Sequence, residues 1–343
     1  MIDRAALATA LAEIPAAGNP RAEDIEAMTP KGVNHDHFRI RGRGLVLRIP
    51  KATPWAGDAV SALASEAMAF DRAAPSGAAP RLAGVLPVSA RLARGALVVE
   101  EIAGRATRLP GDLPALAAAL ARLHGLPLPA PHARPPLADH GISGPFKATL
   151  AVIARQREYL SRISLDARTR AALDEDYRWA EALAASTPAS AQPLALVGTD
   201  THPGNFVIRA DGSAVLVDLE RACYGSPAID LAHATLFTST TWDLEVQGEL
   251  TRSETEGFYR DYVSAIGTER ARAMRLLLAP ARRLTWLRTM MWAVRWRALG
   301  ERNGPEIDPA LAAHISRRLD DFFAPSTVAR VRAEWLGGPA LNL

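Results

Sequence analysis

The stretch that decides the fold is Val197-Gly198-Thr199-Asp200-Thr201-His202-Pro203-Gly204-Asn205-Phe206-Val207-Ile208, followed by Gly212 and then Val215-Leu216-Val217-Asp218-Leu219-Glu220. Two short apolar runs rich in β-branched residues flank a polar turn at 209–213, which is the pattern of an antiparallel hairpin. Asp200 and Asn205 sit on the loop entering the first strand, and Asp218 sits at the exit of the second. A hairpin this short brings its open ends together, so Asp200, Asn205 and Asp218 are expected to converge.

Phosphoryl transfer from a nucleotide needs this set. One carboxylate orients an attacking hydroxyl and accepts its proton, while an amide oxygen and a second carboxylate hold Mg²⁺ against the phosphates. Taken singly, Asp200 and Asn205 serve turns equally well and Asp218 serves equally well as a cap, because Asp, Asn, Gly and Pro do this throughout proteins. The ordered set is what favours chemistry.

The flanking sequence supplies the rest of an architecture. Residues 3–14 read as a short helix. Gly32-Val33-Asn34-His35-Asp36 is turn-like, residues 37–41 alternate as a strand, and Leu45-Val46-Leu47-Arg48-Ile49 forms a second strand that Pro50 stops. Residues 61–73 read as a helix carrying Glu66, and 82–88 and 96–101 as further strands. From Asp112 the period turns helical, with Leu113, Leu116, Ala117, Leu120 and Leu123 on one stripe. The Pro-rich segment 127–136 is a loop, and helical patterns resume over 146–186 and 244–333. The fold class is α+β. A small β-rich lobe is expected over 1–102, and a larger, mainly helical lobe over 103–343 with the catalytic loop at 197–220.

Composition narrows the function. The chain has 343 residues, 40 Lys plus Arg and 37 Asp plus Glu, so its net charge is only +3. No Arg/Lys block offers a phosphate-backbone footprint, which argues against nucleic acid. Lysine occurs only at Lys31, Lys51 and Lys147. Cys223 is the single cysteine, which excludes an intrachain disulfide framework and multi-cysteine metal sites. The N-terminus lacks a signal-peptide pattern and no run of about 18 uncharged apolar residues occurs. No membrane association is expected, and the expected location is the cytoplasm.

At this level of detail the sequence resembles the aminoglycoside phosphotransferase and choline kinase-like enzymes, small-molecule relatives of protein kinases. Residues 199–205 are similar to their catalytic loop, with the Asp-to-Asn spacing kept, and 217–220 to their metal-binding motif. Gly225-Ser226-Pro227-Ala228-Ile229-Asp230-Leu231-Ala232 resembles the segment that follows in that family. The resemblance implies a protein-kinase-like two-lobe fold and ATP and Mg²⁺ as cofactors. Asp200 would then be the catalytic base, with Asn205 and Asp218 as metal ligands. Arg48 stands where such enzymes place the residue contacting the α/β-phosphates, and Glu66 where they place the acid that holds it. The backbones of Glu100 and Ile102 would hold adenine at the hinge Val98-Val99-Glu100-Glu101-Ile102-Ala103-Gly104, and Gly32 would belong to the phosphate-covering loop. Lys51 lies on the opposite strand face from Arg48; only Lys31, beside Gly32, is placed to approach phosphates.

Two departures stand out. Gly198 occupies a position where the family usually has a loop-bracing His, and Leu219 replaces an aromatic. His202 reads as a bracing residue. Asp230 reads either as a buttress for the loop or as a helix cap. For the acceptor, a small molecule bearing a hydroxyl, two features point to a cation. One is an acidic region, Thr240-Thr241-Trp242-Asp243 with Glu245, Glu249, Glu254, Glu256 and Asp261. The other is Trp286, Trp292 and Trp296 on a late helix. An amino alcohol, choline-like compound or aminoglycoside is favoured, with a sugar or homoserine-type kinase and a nucleotide-binding pseudokinase as alternatives. Ordinary core packing and a solvated acidic face explain the same residues equally well.

Overall fold

A computed structural model describes residues 3–29, 32–52, 57–300, 307–337 and 341–343. The N-terminal region is built on a five-stranded antiparallel sheet. It comprises β1 (Ile25–Ala27), β2 (His35–Ile40), β3 (Leu45–Pro50), β4 (Leu82–Leu86) and β5 (Ala96–Glu100), in the order β1-β2-β3-β5-β4. Helix α1 (Arg4–Leu11), capped by the Asp3 carboxylate, covers one face, and α2 (Ala59–Ala73) lies against the other. Strand alternation divides β3 between these faces. Leu45, Leu47 and Ile49 pack in a cluster with Leu7, Leu11 and Phe38, whereas Val46 joins Leu63, Phe70 and Leu97 on the α2 side. Arg48 shares the face of Val46, so the period of two delivers its guanidinium between the sheet and α2.

Strand β1 and the two-residue β6 (Arg105–Ala106) have no counterpart in the sequence reading. Three residues are too few for a periodic signal, and β1 exists because it completes the sheet edge beside β2, with Ile25 opposite Ile40. The hairpin at the deciding stretch forms as expected. Strands β8 (Phe206–Ile208) and β9 (Ala214–Leu216) pair antiparallel with Phe206 opposite Leu216. A second small ladder joins β7 (Ala195–Val197) to β10 (Cys223–Gly225).

The remainder is helical. Helix α3 (Leu113–His124) buries its whole predicted stripe and also His124. The pattern over 146–186 resolves into α4 (Pro145–Arg157) and α5 (Ala167–Ser186). After α6 (Pro227–Thr235), buried at every position, come α7 (Phe237–Thr240) and α8 (Arg252–Ile266). Helix α9 (Thr268–Leu299) has 32 residues, a length of about 48 Å at 1.5 Å per residue. Helices α10 (Pro309–Phe323) and α11 (Pro325–Arg332) finish the chain. One continuous apolar core runs from Phe70 and Val99 through Leu116, Leu120 and Phe206 to Leu231, Leu284 and Met290. Among the described residues no helix is long and apolar enough to cross a membrane.

Between the sheet and the helices lies a cleft of about 1110 Å³. Its back is the connection after β5, where Gly104 presses against β8. A Cβ at Gly104 would stand 2.4 Å from the Ile208 carbonyl oxygen and 2.7 Å from Val207 Cγ1. Gly104→Ala therefore forces the connection away from β8. Urea unfolding of that variant should show a loss of about 1–3 kcal/mol, and an unchanged midpoint would contradict this packing.

Candidate active site

The hairpin sets the floor of the cleft. Val217 N–H donates to the Asn205 carbonyl at 2.9 Å, which ties the exit of β9 to the entry of β8. Asp200, Asn205 and Asp218 accordingly all line the same cleft. Asn205 Nδ2 donates to the Asp200 carbonyl at 2.8 Å, which turns the amide oxygen away from the loop backbone. The Asp200 carboxylate is raised in pKa by burial, but Arg221, His202, His233 and Arg288 outweigh this and hold it well below the usual carboxylate range. Burial and Arg288 drive the His233 pKa down to about 3, so His233 is neutral near pH 7 and the arginines supply most of that field.

The loop carrying Asp200 is strained and braced. Thr199, a β-branched residue, has φ 58°, a conformation that costs on the order of 1–3 kcal/mol. Asp230 holds it there. Its carboxylate accepts from Gly198 N–H at 2.7 Å and Thr199 N–H at 2.8 Å. Thr199 Oγ1 donates to the Arg221 carbonyl at 2.9 Å and Arg288 donates to the Thr199 carbonyl at 2.6 Å. Asp230 is thus a buttress, and the position before α6 is filled by Ser226. His124 Nε2 lies 3.1 Å from Asp230 and its Nδ1 lies 3.0 Å from Tyr262 Oη, so α3 and α8 both support the loop.

This network accounts for Gly198. A Cβ there would lie 2.8 Å from Leu216 Cδ2 and 3.1 Å from Thr201 Cγ2, so a larger side chain requires both to shift. The histidine that supports this loop is His124 on α3, through Asp230. His202 is not that brace: its Nδ1 is buried without a hydrogen-bond partner and it lines the cleft beside His233, ring centroids 6.3 Å apart.

Above the floor, Arg48 joins three elements. Its guanidinium lies 3.1 Å from Glu66 on α2 and 3.0 Å from Asp218, and donates to the Val217 carbonyl at 3.1 Å. Burial works against this charge, yet Asp218, Glu66 and Glu220 prevail and raise the Arg48 pKa. Glu66 is pushed up by burial and pulled down more strongly by Arg48 and His35, to about 2.

Sequence reading gave no role to the second acid of this motif or its partners. Glu220 Oε1 accepts from Asn34 Nδ2 at 2.7 Å, and its other oxygen is 3.5 Å from His35 Nδ1. His35 Nε2 in turn lies 3.2 Å from Glu66. Burial and the neighbouring Asp218 raise the Glu220 pKa. The signal was present in Asn34-His35 and Glu220 themselves, but nothing local ties residues 186 apart.

Gly32, Glu100 and Ile102 line the same cleft. Gly32 is exposed and a Cβ there would touch nothing, so sterics do not demand glycine. Glu100 ends β5 with its side chain on Arg81, and the Ile102 N–H has no hydrogen-bond partner among the described residues. Lys51 pairs with Asp36 at 3.1 Å, and Lys31 lies outside the described residues.

The donor set fits a hard cation. Asp218 and Asn205 offer a carboxylate and an amide oxygen, and no group of three or more His, Cys, Asp or Glu among the described residues forms a cage. Mg²⁺ requires none, because it takes one or two protein oxygens together with phosphates and water.

The far end of the cleft is formed by α4, α7, α9 and α10 with the segment after α7. Trp242 and Trp292 meet edge to face with ring centroids 5.1 Å apart, and Trp292 stacks on Trp296 at 5.5 Å. Trp286 is core, packed on Trp335. Of the acidic region, only Asp243 reaches the cleft. Glu249 pairs with Arg330, Glu254 caps α8 and Glu256 pairs with Arg252. Cys223 is buried, and burial pushes its thiol up to about 12.

The Glu66 charge has a measurable consequence. Its folded pKa of about 2 lies below the ordinary 4.5, a difference worth on the order of 3 kcal/mol at pH 7. A lowered pKa stabilises above the unfolded value, and that stability is lost as pH falls from about 4.5 towards 2. Glu66→Gln should be destabilised at pH 7 in urea titrations, and the gap to wild type should narrow as pH falls through that window.

Comparison with known proteins places the chain in a family and a fold. The model of the phosphotransferase enzyme family known as APH matches residues 29–274. No curated protein sequence matches the chain. Solved structures share the fold. A choline/ethanolamine kinase family protein from Mesorhizobium loti is 21% identical with TM-score 0.61, covering 95% of this chain and 98% of its own. A choline kinase from Cryptosporidium parvum is 13% identical with TM-score 0.62, covering 98% and 100%. An amicoumacin kinase in complex with AMP-PNP and Ca²⁺ is 13% identical with TM-score 0.57, covering 90% of each chain. With its β-sheet N-terminal region, its helical C-terminal region and a family match across most of its length, the chain belongs to the APH phosphotransferase family.

Proposed function

We propose that this protein is an ATP- and Mg²⁺-dependent kinase that phosphorylates a hydroxyl of a small molecule, and that Asp200 is its base. The observation that carries the proposal is the convergence of Asp200, Asn205, Asp218 and Arg48 on one cleft. An ionised Asp200 accepts the proton of the acceptor hydroxyl as its oxygen attacks the γ-phosphorus. The bond to the bridging oxygen breaks and ADP leaves. When bound, Mg²⁺ neutralises phosphate charge. Asn205 and Asp218 are its ligands, Arg48 meets the α/β-phosphates, and Glu66 fixes Arg48. The Gly32 turn covers the phosphates, and the backbones of Glu100 and Ile102 take adenine at the back of the cleft. An amicoumacin kinase of similar fold, solved in complex with AMP-PNP and Ca²⁺, supports a nucleotide as the phosphoryl donor.

For the acceptor, Trp242 and Trp292 beside Asp243 favour a molecule with an ammonium group, as in an amino alcohol, choline-like compound or aminoglycoside. The choline kinase of similar fold supports that reading. A sugar-type acceptor is the second reading, favoured by the buried, unpartnered hydroxyls of Thr238 and Ser239 on the cleft wall. A pseudokinase has lost its motive, since the loop is braced without a histidine at Gly198. The compartment we propose is the cytoplasm.

Two variants test the assignment. Asp200→Ala should retain nucleotide binding by calorimetry and lose at least about 100-fold in ADP release with every acceptor; full activity would sink the role. Arg48→Ala should raise the KM for ATP much more than that for acceptor. Equal effects on both would remove Arg48 from the phosphates.

A further inference from the structure

The acceptor end of the cleft holds a cation that the phosphotransferase reading does not use. Arg288 on α9 lines the cleft and makes one hydrogen bond, to the Thr199 carbonyl at 2.6 Å. Among the described residues it has no ion-pair partner, whereas neighbouring Arg221 reaches both Glu220 and Asp200. A guanidinium has five donors and is always charged, so Arg288 keeps most of its donors available for a ligand. Asp200 and Asp230 act on it only from beyond ion-pair distance, and the side chain is part-exposed on the cleft wall, so its remaining donors are open to an anion that arrives with the ligand.

Its position says which anion. Trp292 follows Arg288 by four residues, one turn along the same face of α9, and both line the cleft. The hydrogen bond to Thr199 places the guanidinium next to the residue preceding Asp200. Three binding elements are therefore adjacent: the base, a cation, and an aromatic wall with Asp243. A dianionic phosphate at Arg288 would stand beside the transferred γ-phosphoryl group and repel it, so a monoanion suits the position. Buried, unpartnered Ser226 Oγ, Thr238 Oγ1 and Ser239 Oγ on the same walls fit a small polar ligand over a bulky apolar one.

We propose that the acceptor is a small hydroxylated amino acid, its carboxylate bound by Arg288, its ammonium by the Trp242–Trp292 wall with Asp243, and its hydroxyl by Asp200. This rests on the phosphotransferase reading, keeps the ammonium group proposed there and adds an anion, so it favours a zwitterion over the choline-like and aminoglycoside acceptors. Choline and aminoglycosides lack the anion. The overall step transfers the γ-phosphoryl group to the side-chain hydroxyl, giving ADP and a phospho-amino acid, with the hydroxyl proton passing to Asp200.

Matched pairs that differ only by the carboxylate test it: L-serine against ethanolamine, and L-homoserine against 3-aminopropan-1-ol. Affinity is measured by calorimetry on the full chain with AMP-PNP and Mg²⁺, and turnover by ADP release. The carboxylate member of at least one pair should bind about 10- to 100-fold tighter, the weight of a bidentate charged contact. Arg288→Gln should erase that preference while Arg288→Lys restores part of it, which a purely structural role at Thr199 would not produce. The assignment is overturned if neither carboxylate binds more tightly than its amine on the wild-type chain, an outcome that needs no variant to fold. ADP release from ethanolamine or choline in that case would leave the phosphotransferase reading standing. Failure of AMP-PNP itself to bind would remove both.

Discussion

The ion cluster of Arg48, Glu66 and Asp218 is the constraint on which the remaining geometry depends. A strand, a helix and the exit of a distant hairpin each contribute one charge, and the three meet within about 3 Å contacts. Isolated burial of any one would be strongly unfavourable. Together they are compensated, and the guanidinium also satisfies the Val217 carbonyl. Removing Glu66 or Asp218 leaves the buried Arg48 charge under-compensated, which fixes how the sheet stands over the helices. Asn34 and His35 extend the same network to Glu220, so the turn before β2 is also tied to the floor.

The second organising feature is the strain at Thr199. A left-handed β-branched residue persists only where its surroundings over-determine it. Here two N–H groups go to Asp230, the hydroxyl to Arg221 and the carbonyl to Arg288. That over-determination fixes the direction of the Asp200 side chain. Leu216 and Thr201 crowd the position of Gly198, and His124 on α3 supports Asp230 from behind, backed by Tyr262.

Much of the fold was legible because its signals are local. The hairpin 206–216 followed from two apolar runs around a polar turn, and the stripe of α3 from the helical period. The alternation of β3 put Arg48 on the face opposite Leu47 and Ile49. Strand β1 was illegible because three residues have no period and its stability comes from β2. The acidic region misled in the ordinary way. A row of carboxylates looks like one surface, yet Glu249, Glu254 and Glu256 turn to Arg330, a helix cap and Arg252, and only Asp243 reaches the cleft. The three tryptophans divide likewise, since Trp286 is core and Trp292 is wall.

The sequence by itself determined the order of the longer elements and the convergence of Asp200, Asn205 and Asp218, because a short hairpin leaves its ends nowhere else to go. It also determined that Arg48, with no lysine on that strand face, takes the strand position facing the cleft. Only the tertiary structure decided that His124 braces the loop, that His35 bridges Glu66 and Glu220, and that Arg288 reaches the Thr199 carbonyl on the cleft wall. These contacts join residues separated by roughly 30 to 190 positions. Their energies depend on burial and on which charges share it, and neither quantity has a period along the chain.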